Sequence, residues 1–289
     1  MALKLLMNDK AGRLHRTPNV EEMRQTLRVL GLEAEVIGSQ SPVAFRKRIR
    51  GLVEAGEERI AVAGGDGTVR LAVEEMAGSN SALAIVPQGT MNNFATALRL
   101  PLSLPMALRA AIDGEIREID LGRASGKLFT ESAGVGLFAN ALSLYGSHNK
   151  SLWRGLLAVA RTMLNFRPAR IAIDVDDERW EERAAWVVAA NGFRMAQALP
   201  VAPSASLTDG MLDLVVLGDL ARNELIPYYL AIRRQTHLTL PKTRFCTAKC
   251  VELHSRRPMP VHIDDRIGGN TPTRIEVMPR YLKVVVERL

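Results

Sequence analysis

Along the first 120 residues, short apolar runs alternate with amphipathic stretches. "ALKLLM" (2–7) has the pattern of a buried strand. "TPNVEEMRQTLRVLG" (17–31) follows, with Thr17 placed as a helix cap, Pro18 at the first helical position, acids in the first turn and Gly31 past the end. "EAEVI" (33–37) is a second strand, and "SPVAFRKRIRGLVEAG" (41–56) repeats the same grammar with Ser41 and Pro42, ending at Gly56. "RIAVA" (59–63) is a third strand, followed by a glycine loop, a helix through Met76 and a fourth strand, "ALAIVP" (82–87). Such alternation predicts a parallel sheet covered on both faces. Ligands of these sheets bind in the crevice at the strand carboxyl ends.

Beyond about residue 120 the period changes. "ARIAIDVDDERWEERAAWVVAANG" (169–192) reads as two alternating strands around an acidic turn. "MLDLVVLGD" (211–219), "TAKCVELHS" (247–255), "MPVHIDD" (259–265), "TRIEVMP" (273–279) and "LKVVVERL" (282–289) are further strands, interrupted by one helix near 220–235. The fold class expected is therefore an α/β domain over 1–121, with a parallel sheet and its ligand crevice. A strand-rich, antiparallel β-sandwich-like domain over 122–278 follows, and 279–289 returns to the first domain.

With 47% hydrophobic and 24% charged residues, the 289-residue chain can bury a proper core. Its two cysteines, Cys246 and Cys250, read as lying on one strand, roughly 13 Å apart. That is too far for a disulfide. His254 continues the four-residue spacing, but a strand cannot converge the three groups on a zinc ion. A reducing, cytoplasmic setting is expected. The opening "MALKLLMNDK" is too short in apolar length for a signal peptide, and no charge-free run reaches the ~20 residues of a spanning helix.

The net charge of +7 predicts anionic partners, while 5% aromatics and the lack of a base-stacking motif point away from nucleic acid. "FRKRIR" (45–50) belongs to a helix whose Phe45, Ile49, Leu52 and Val53 face the core, so its cations read as a solvated face. In 142–167, Leu152, Trp153, Leu156, Leu157, Ala160 and Leu164 recur at helical spacing beside Arg154, Arg161 and Arg167. Such a helix either makes transient contact with an anionic membrane surface, walls a lipid cleft, or packs on the sandwich.

The candidate chemistry begins at "VAGGDGTVR" (62–70). Gly64 and Gly65 permit a sharp turn with N–H groups facing outward, and Thr68 is placed to cap the next helix, a phosphate cradle in outline. No Lys-Ser/Thr follows, so this is not a P-loop, and G-x-G-x-x-G is lacking. Asp66 would repel phosphate unless Mg²⁺ intervenes or unless it takes a proton from an attacking hydroxyl. Both fit phosphoryl transfer. A tight turn with a helix-capping acid is the plainer reading. "VPQGTMNNFA" (86–95) again leaves a strand through Gly89-Thr90, with Thr90 and Asn92 placed for phosphate oxygens or the nucleotide sugar.

"GGDGT" (64–68) followed by "PQGTMNNFA" (87–95) resembles the diacylglycerol kinase catalytic domain, specifically the soluble bacterial lipid kinases related to sphingosine kinases. NAD kinases and phosphofructokinases share the first motif more distantly. "MNDKAGR" (7–13) resembles the family's N-P-x-x-G loop, with Asn8 and Gly12 matching and Asp9 in place of proline. "ESAGVGLFANAL" (131–142) resembles the glycine-rich strand of the second domain, and "VAPSASLTDGMLDLVVL" (201–217) the stretch A-P-x-A-x-x-x-D-G-x-L-D. "VHIDDR" (261–266) stands where the family reads D-G-E.

The resemblance implies an ATP- and Mg²⁺-dependent kinase whose acceptor is a lipid hydroxyl between the domains. It places ATP against Asn8, Ser39, Gly64, Gly65, Asp66, Gly67, Thr68, Val69, Arg70, Leu71, Gly89, Thr90 and Asn92. It places a structural Mg²⁺ on Asp209, helped by backbone carbonyls near Ser206 and Met211, where the residues alone read as a hairpin turn. Two departures fall on acids: Asn92-Asn93 replaces Asn-Asp, and Arg266 replaces the glutamate proposed as general base. Arginine cannot accept a proton. Asp264, Asp265 or Asp66 then takes that role, or the chain binds nucleotide or lipid without turnover, or the acceptor is anionic and pairs with Arg266. A soluble small-molecule acceptor is a further reading, since function resides in the site and not the fold.

Overall fold

The computed structural model describes residues 3–8, 18–145, 161, 166–176, 178–195 and 199–288. Asp9, Gly12, Thr17 and most of the amphipathic stretch 142–167 lie outside the described residues. The chain divides into two compact units, Met1–Ile119 with Arg280–Leu289, and Asp120–Pro279.

In the first unit, β1 (Leu3–Asn8), α1 (Val20–Leu30), β2 (Ala34–Ser39), α2 (Pro42–Glu54), β3 (Arg59–Gly64), α3 (Asp66–Met76) and β4 (Ala82–Pro87) alternate strictly, followed by α4 (Asn93–Ala97) and α5 (Leu104–Asp113). The strands pair in parallel in the order β2-β1-β3-β4. Alternate strand residues point to opposite faces. Leu5 and Met7 meet Met23 and Leu27 of α1 and Ala107 and Leu108 of α5 in one core layer. Leu6, Ile60 and Val62 are buried on the other face, where Phe45 and Ile49 of α2 are also buried.

The helix starts follow capping chemistry. Asn19 caps α1: its Oδ1 accepts the N–H groups of Glu21 and Glu22 at 2.9 and 3.0 Å, and Glu22 Oε2 accepts the Asn19 N–H. The cap is thus Asn19, not Thr17, because only Asn19 has a glutamate three residues on to close a capping box. Gly31, at φ 66°, ends the helix as its pattern predicts. Ser41 caps α2 through the Ala44 N–H at 3.2 Å. Its basic run is not wholly solvated: Arg46 binds Glu74 and, at 2.7 Å, Glu75, while Arg50 reaches Glu75 at 2.8 Å.

The second unit contains β6 (Lys127–Phe129), β7 (Ser132–Gly136), α6 (Leu137–Tyr145), β8 (Ala169–Val175), β9 (Glu178–Ala184), β10 (Trp186–Ala190), β11 (Leu212–Leu217), α7 (Leu225–Arg233), β12 (Thr243–Ala248), β13 (Cys250–Ser255), β14 (Pro260–Ile263) and β15 (Arg266–Asn270). The strand β5 (Glu115–Ala124) enters it, and β16 (Thr273–Val286) leaves it. One antiparallel sheet runs β12-β11-β10-β7-β14-β15, and a second layer runs β16-β13-β8-β9. Between them lies an apolar core that includes Val135, Val187, Leu214, Val261, Ile171, Ile173, Val251 and Ile275.

Three strand expectations are corrected. The stretch 169–192 holds three strands, since after Ala185 the chain leaves β9 and pairs Trp186–Ala190 with β7 and β11 in the other sheet. Cys246 and Cys250 likewise sit on β12 and β13, in different layers. The chain changes layer at Lys249, whose N–H and that of Cys250 are held by Asp176 Oδ1 at 3.2 and 3.0 Å. "TRIEVMP" and "LKVVVERL" form the single strand β16, whose end pairs in parallel with β4. Among the described residues no helix is long and apolar enough to cross a membrane.

Candidate functional site

At the carboxyl ends of the parallel strands, Asn8 lies beside Ser39 and Gly64 beside Pro87. The turns leaving β3 and β4 are locked together. Gln88 N–H donates to the Gly64 carbonyl at 2.9 Å. A Cβ on Gly65 would lie 2.9 Å from Gly89 Cα, and one on Gly89 only 2.6 Å from Gly65 Cα. Glycine is needed at both positions because the two backbones touch.

Asn92, at φ 50°, closes the second turn on itself. Its Oδ1 accepts the Gly89 N–H at 2.8 Å and its Nδ2 donates to the Gly89 carbonyl at 2.9 Å. Asp66 reaches across from the first turn: its carboxylate accepts the main-chain N–H groups of Asn93, Phe94 and Asn92. Burial pushes its pKa up, and those donors oppose the rise. Thr68 does not cap α3. Gly65 occupies the cap position and Thr68 is a buried residue within the first turn, because the helix already begins at Asp66.

Four of the residues expected at the nucleotide are buried or hold other partners. Val69 and Leu71 are buried, and Arg70 binds Glu74 at 3.2 Å. Ser39 is buried, with Oγ donating to the Ser41 carbonyl at 3.2 Å. Gly67 and Thr90 are exposed.

In the second unit Asp264 is buried at φ 50°. Its Oδ1 accepts the N–H groups of Glu131 and Ser132 at 2.8 and 3.2 Å, and its Oδ2 that of Thr130 at 3.2 Å. Burial pushes its pKa up to about 6 against the pull of those donors. The carboxylate ties the β14–β15 turn to the start of β7. Asp265 stands exposed at the tip, and Arg266 opens β15. Two residues earlier, His262 is fully buried with Nε2 3.5 Å from Ser132 Oγ and the Phe138 ring edge-on at 5.0 Å. Burial lowers its pKa to about 3 and keeps it neutral.

The loop before β11 gathers acids. Asp209 Oδ1 accepts the Met211 N–H at 3.0 Å, and Ser206 Oγ lies 3.3 Å from Thr208 Oγ1. Gly210, at φ 72°, donates its N–H to Asp120 Oδ2 at 2.7 Å. Asp213 accepts from Ser204 Oγ at 2.8 Å, and burial together with the charge of Asp209 raises its pKa. No Lys, Arg or His occurs between 199 and 221. Carboxylates, a hydroxyl and main-chain carbonyls make a hard-oxygen donor set that fits Mg²⁺. The three carboxylates do not converge, however. Among the described residues the group that does is Asp174, Glu252 and His254, where Arg179 and Arg274 already bind the two acids. A cation on the 206–211 loop would therefore rely on Asp209 and carbonyl oxygens.

Residues 2–124 match the diacylglycerol kinase catalytic domain, and 132–286 match the YegS C-terminal NAD kinase beta sandwich-like domain. The chain belongs to the diacylglycerol kinase catalytic-domain family. It is 26% identical to a diacylglycerol kinase of Staphylococcus saprophyticus, over 86% of this chain and 82% of that one. A diacylglycerol kinase of Bacillus subtilis is 27% identical over 79% and 78%. A probable lipid kinase YegS-like of Pseudomonas aeruginosa is 30% identical over 60% of this chain and 58% of its own length. A crystal structure of a putative diacylglycerol kinase from Bacillus anthracis shares the fold, with a TM-score of 0.79 at 19% identity over 99% and 97% of the two chains.

Within this diacylglycerol kinase fold, the sequence reading missed Asp120. Its carboxylate is buried, its N–H donates to the Leu207 carbonyl at 2.7 Å and its carbonyl accepts from Asn191 Nδ2 at 3.0 Å. The signal was an acid set between Ile119 and Leu121, both buried. An acid inside an apolar run needs a partner when it folds.

Proposed function

We propose that this chain transfers the γ-phosphoryl group of ATP, with Mg²⁺, to the hydroxyl of a diacylglycerol-like lipid. The observation that carries the reading is the interlocked pair of glycine turns at the carboxyl edge of the parallel sheet, with Gly65 and Gly89 in backbone contact. Bare backbone beside helix starts is suited to phosphate oxygens. In this reading Gly65, Gly67 and Thr90 present the cradle, while Asp66 and Asn92 hold its shape. A cation held by Asp209 and the carbonyls of the Ser206–Met211 loop, next to Asp120, would supply positive charge to an otherwise acidic loop.

Transfer forms a bond from the acceptor oxygen to the γ-phosphorus, breaks the bond to ADP and releases the hydroxyl proton. Of the three candidate acids Asp265 is the one exposed to solvent, and it is assigned as proton acceptor. The relatives named diacylglycerol kinase support a lipid acceptor.

Arg266 favours a second reading, nucleotide or lipid binding without turnover. The deciding assay offers the purified chain labelled ATP, Mg²⁺ and mixed micelles of candidate lipids. Labelled phospholipid is expected. ATP binding with no transfer to any lipid, and turnover appearing only in Arg266→Glu, would establish the second reading instead.

A further inference from the structure

The inner face of α7 behaves as its period dictates: Leu225, Tyr228 and Ile232 are buried with Trp186, Val188, Val215 and Leu217 of β10 and β11. Its outer face does not. Ile226, Tyr229 and Leu230 are 62%, 50% and 45% exposed, at the i, i+3, i+4 spacing that makes one contiguous stripe. The solvent side of a surface helix is ordinarily polar. Arg222 stands one turn before the stripe, and Arg233 and Arg234 one turn after it, all exposed.

Among the described residues no acid pairs with these three guanidinium groups. The nearest acids in sequence are occupied: Glu224 binds Lys242 at 2.5 Å, and Asp219 binds Arg183 at 3.5 Å. The face is therefore an apolar strip with cations at both ends that no acid among the described residues pairs.

We infer that this face docks on an anionic lipid bilayer. The strip sinks to the headgroup boundary with the helix lying in the interface plane, Tyr229 taking the amphipathic position and the arginines reaching lipid phosphates. A second copy of the chain is a poor occupant, because a two-fold contact would bring two sets of arginines together. Each arginine near an anionic surface strengthens partition about fivefold, so three contribute roughly a hundredfold.

The test is co-sedimentation of the full chain with vesicles of phosphatidylcholine, alone or mixed with phosphatidylglycerol. Binding to the mixed vesicles, weakened by salt, is expected. Arg233→Gln with Arg234→Gln should weaken it about 25-fold, and Ile226→Ser with Tyr229→Ser should abolish it while the unfolding temperature stays at the native value. Equal binding by the variants overturns the inference, as does binding to neither vesicle. A dimer in sedimentation velocity that the serine pair dissolves would give the face to a second copy and overturn it too. Vesicle binding is read without phosphate transfer, so its failure is separable from a failure of kinase activity.

Discussion

Asp66→Asn removes a charge and one acceptor oxygen while conserving side-chain size. The native carboxylate accepts three main-chain N–H groups from the opposite turn. An amide presents one oxygen, and its NH₂ faces at least one donor that then loses its partner. A hydrogen bond to a charged acceptor contributes about 1.5–3 kcal/mol, and stranding a buried donor costs about 1–3 kcal/mol. Two effects shrink the sum. Asp66 is partly exposed, so water replaces some of what is lost. Its raised pKa also shows that burial penalises the charge more than the donors reward it, so a neutral side chain escapes that penalty. A net loss of about 1–2 kcal/mol is expected. Loosening of the second turn should then raise the KM for ATP up to about thirtyfold, since about 1.4 kcal/mol is a factor of ten and about 2 kcal/mol a factor of about thirty. The kcat/KM pH profile should keep its shape, because no titrating base has been removed. Urea unfolding and steady-state kinetics on the variant measure all three. Native stability and native ATP affinity, with kcat reduced by about 10²–10⁴, would refute the clamp and return Asp66 to proton transfer.

Gly89→Ala places a methyl group 2.6 Å from Gly65 Cα, where only backbone can give way. Urea denaturation should show a loss of about 1–3 kcal/mol together with weaker ATP binding, and unchanged stability would mean the turns are not in contact. Titration of the second unit carries opposing slopes. His262, lowered from 6.5 to about 3, stays neutral when folded, so stability is lost as pH falls below 6.5. Asp264, raised from 3.8 to about 6, holds a proton when folded that the unfolded chain has released, so stability is lost as pH rises from about 4 to 6. His262→Asn should leave the Asp264 slope uncovered, with unfolding free energy falling between pH 4 and 6. A flat profile in that variant would contradict the assignment.

The elements of the first unit were legible because their signals are local. Ser41 with Pro42, and Gly31 after Leu30, act within one turn of chain. Thr17 misled because it too is a good cap residue, and Asn19 prevailed through a glutamate at the right offset. In the second unit alternation located strands but not their sheet. Trp186–Ala190 is buried on both faces and so carries no alternation to separate it from β9. The family motifs marked the loops that carry Asp66, Asp209 and Asp264, while Asp120 matched no quoted motif.

By itself the sequence determined the fold class, the glycine-acid turns and the substitution of Arg266, since these rest on residue type and short spacing. Tertiary structure alone decided what the carboxylates of Asp66, Asp264 and Asp120 touch. The donors to Asp66 come from residues 92–94, those to Asp264 from 130–132, and Asp120 receives the N–H of Gly210. A carboxylate takes whichever main-chain donors the fold brings within hydrogen-bonding distance, and those donors are dozens of residues away. The backbone carries them whatever the side chain, so no residue pattern announces them.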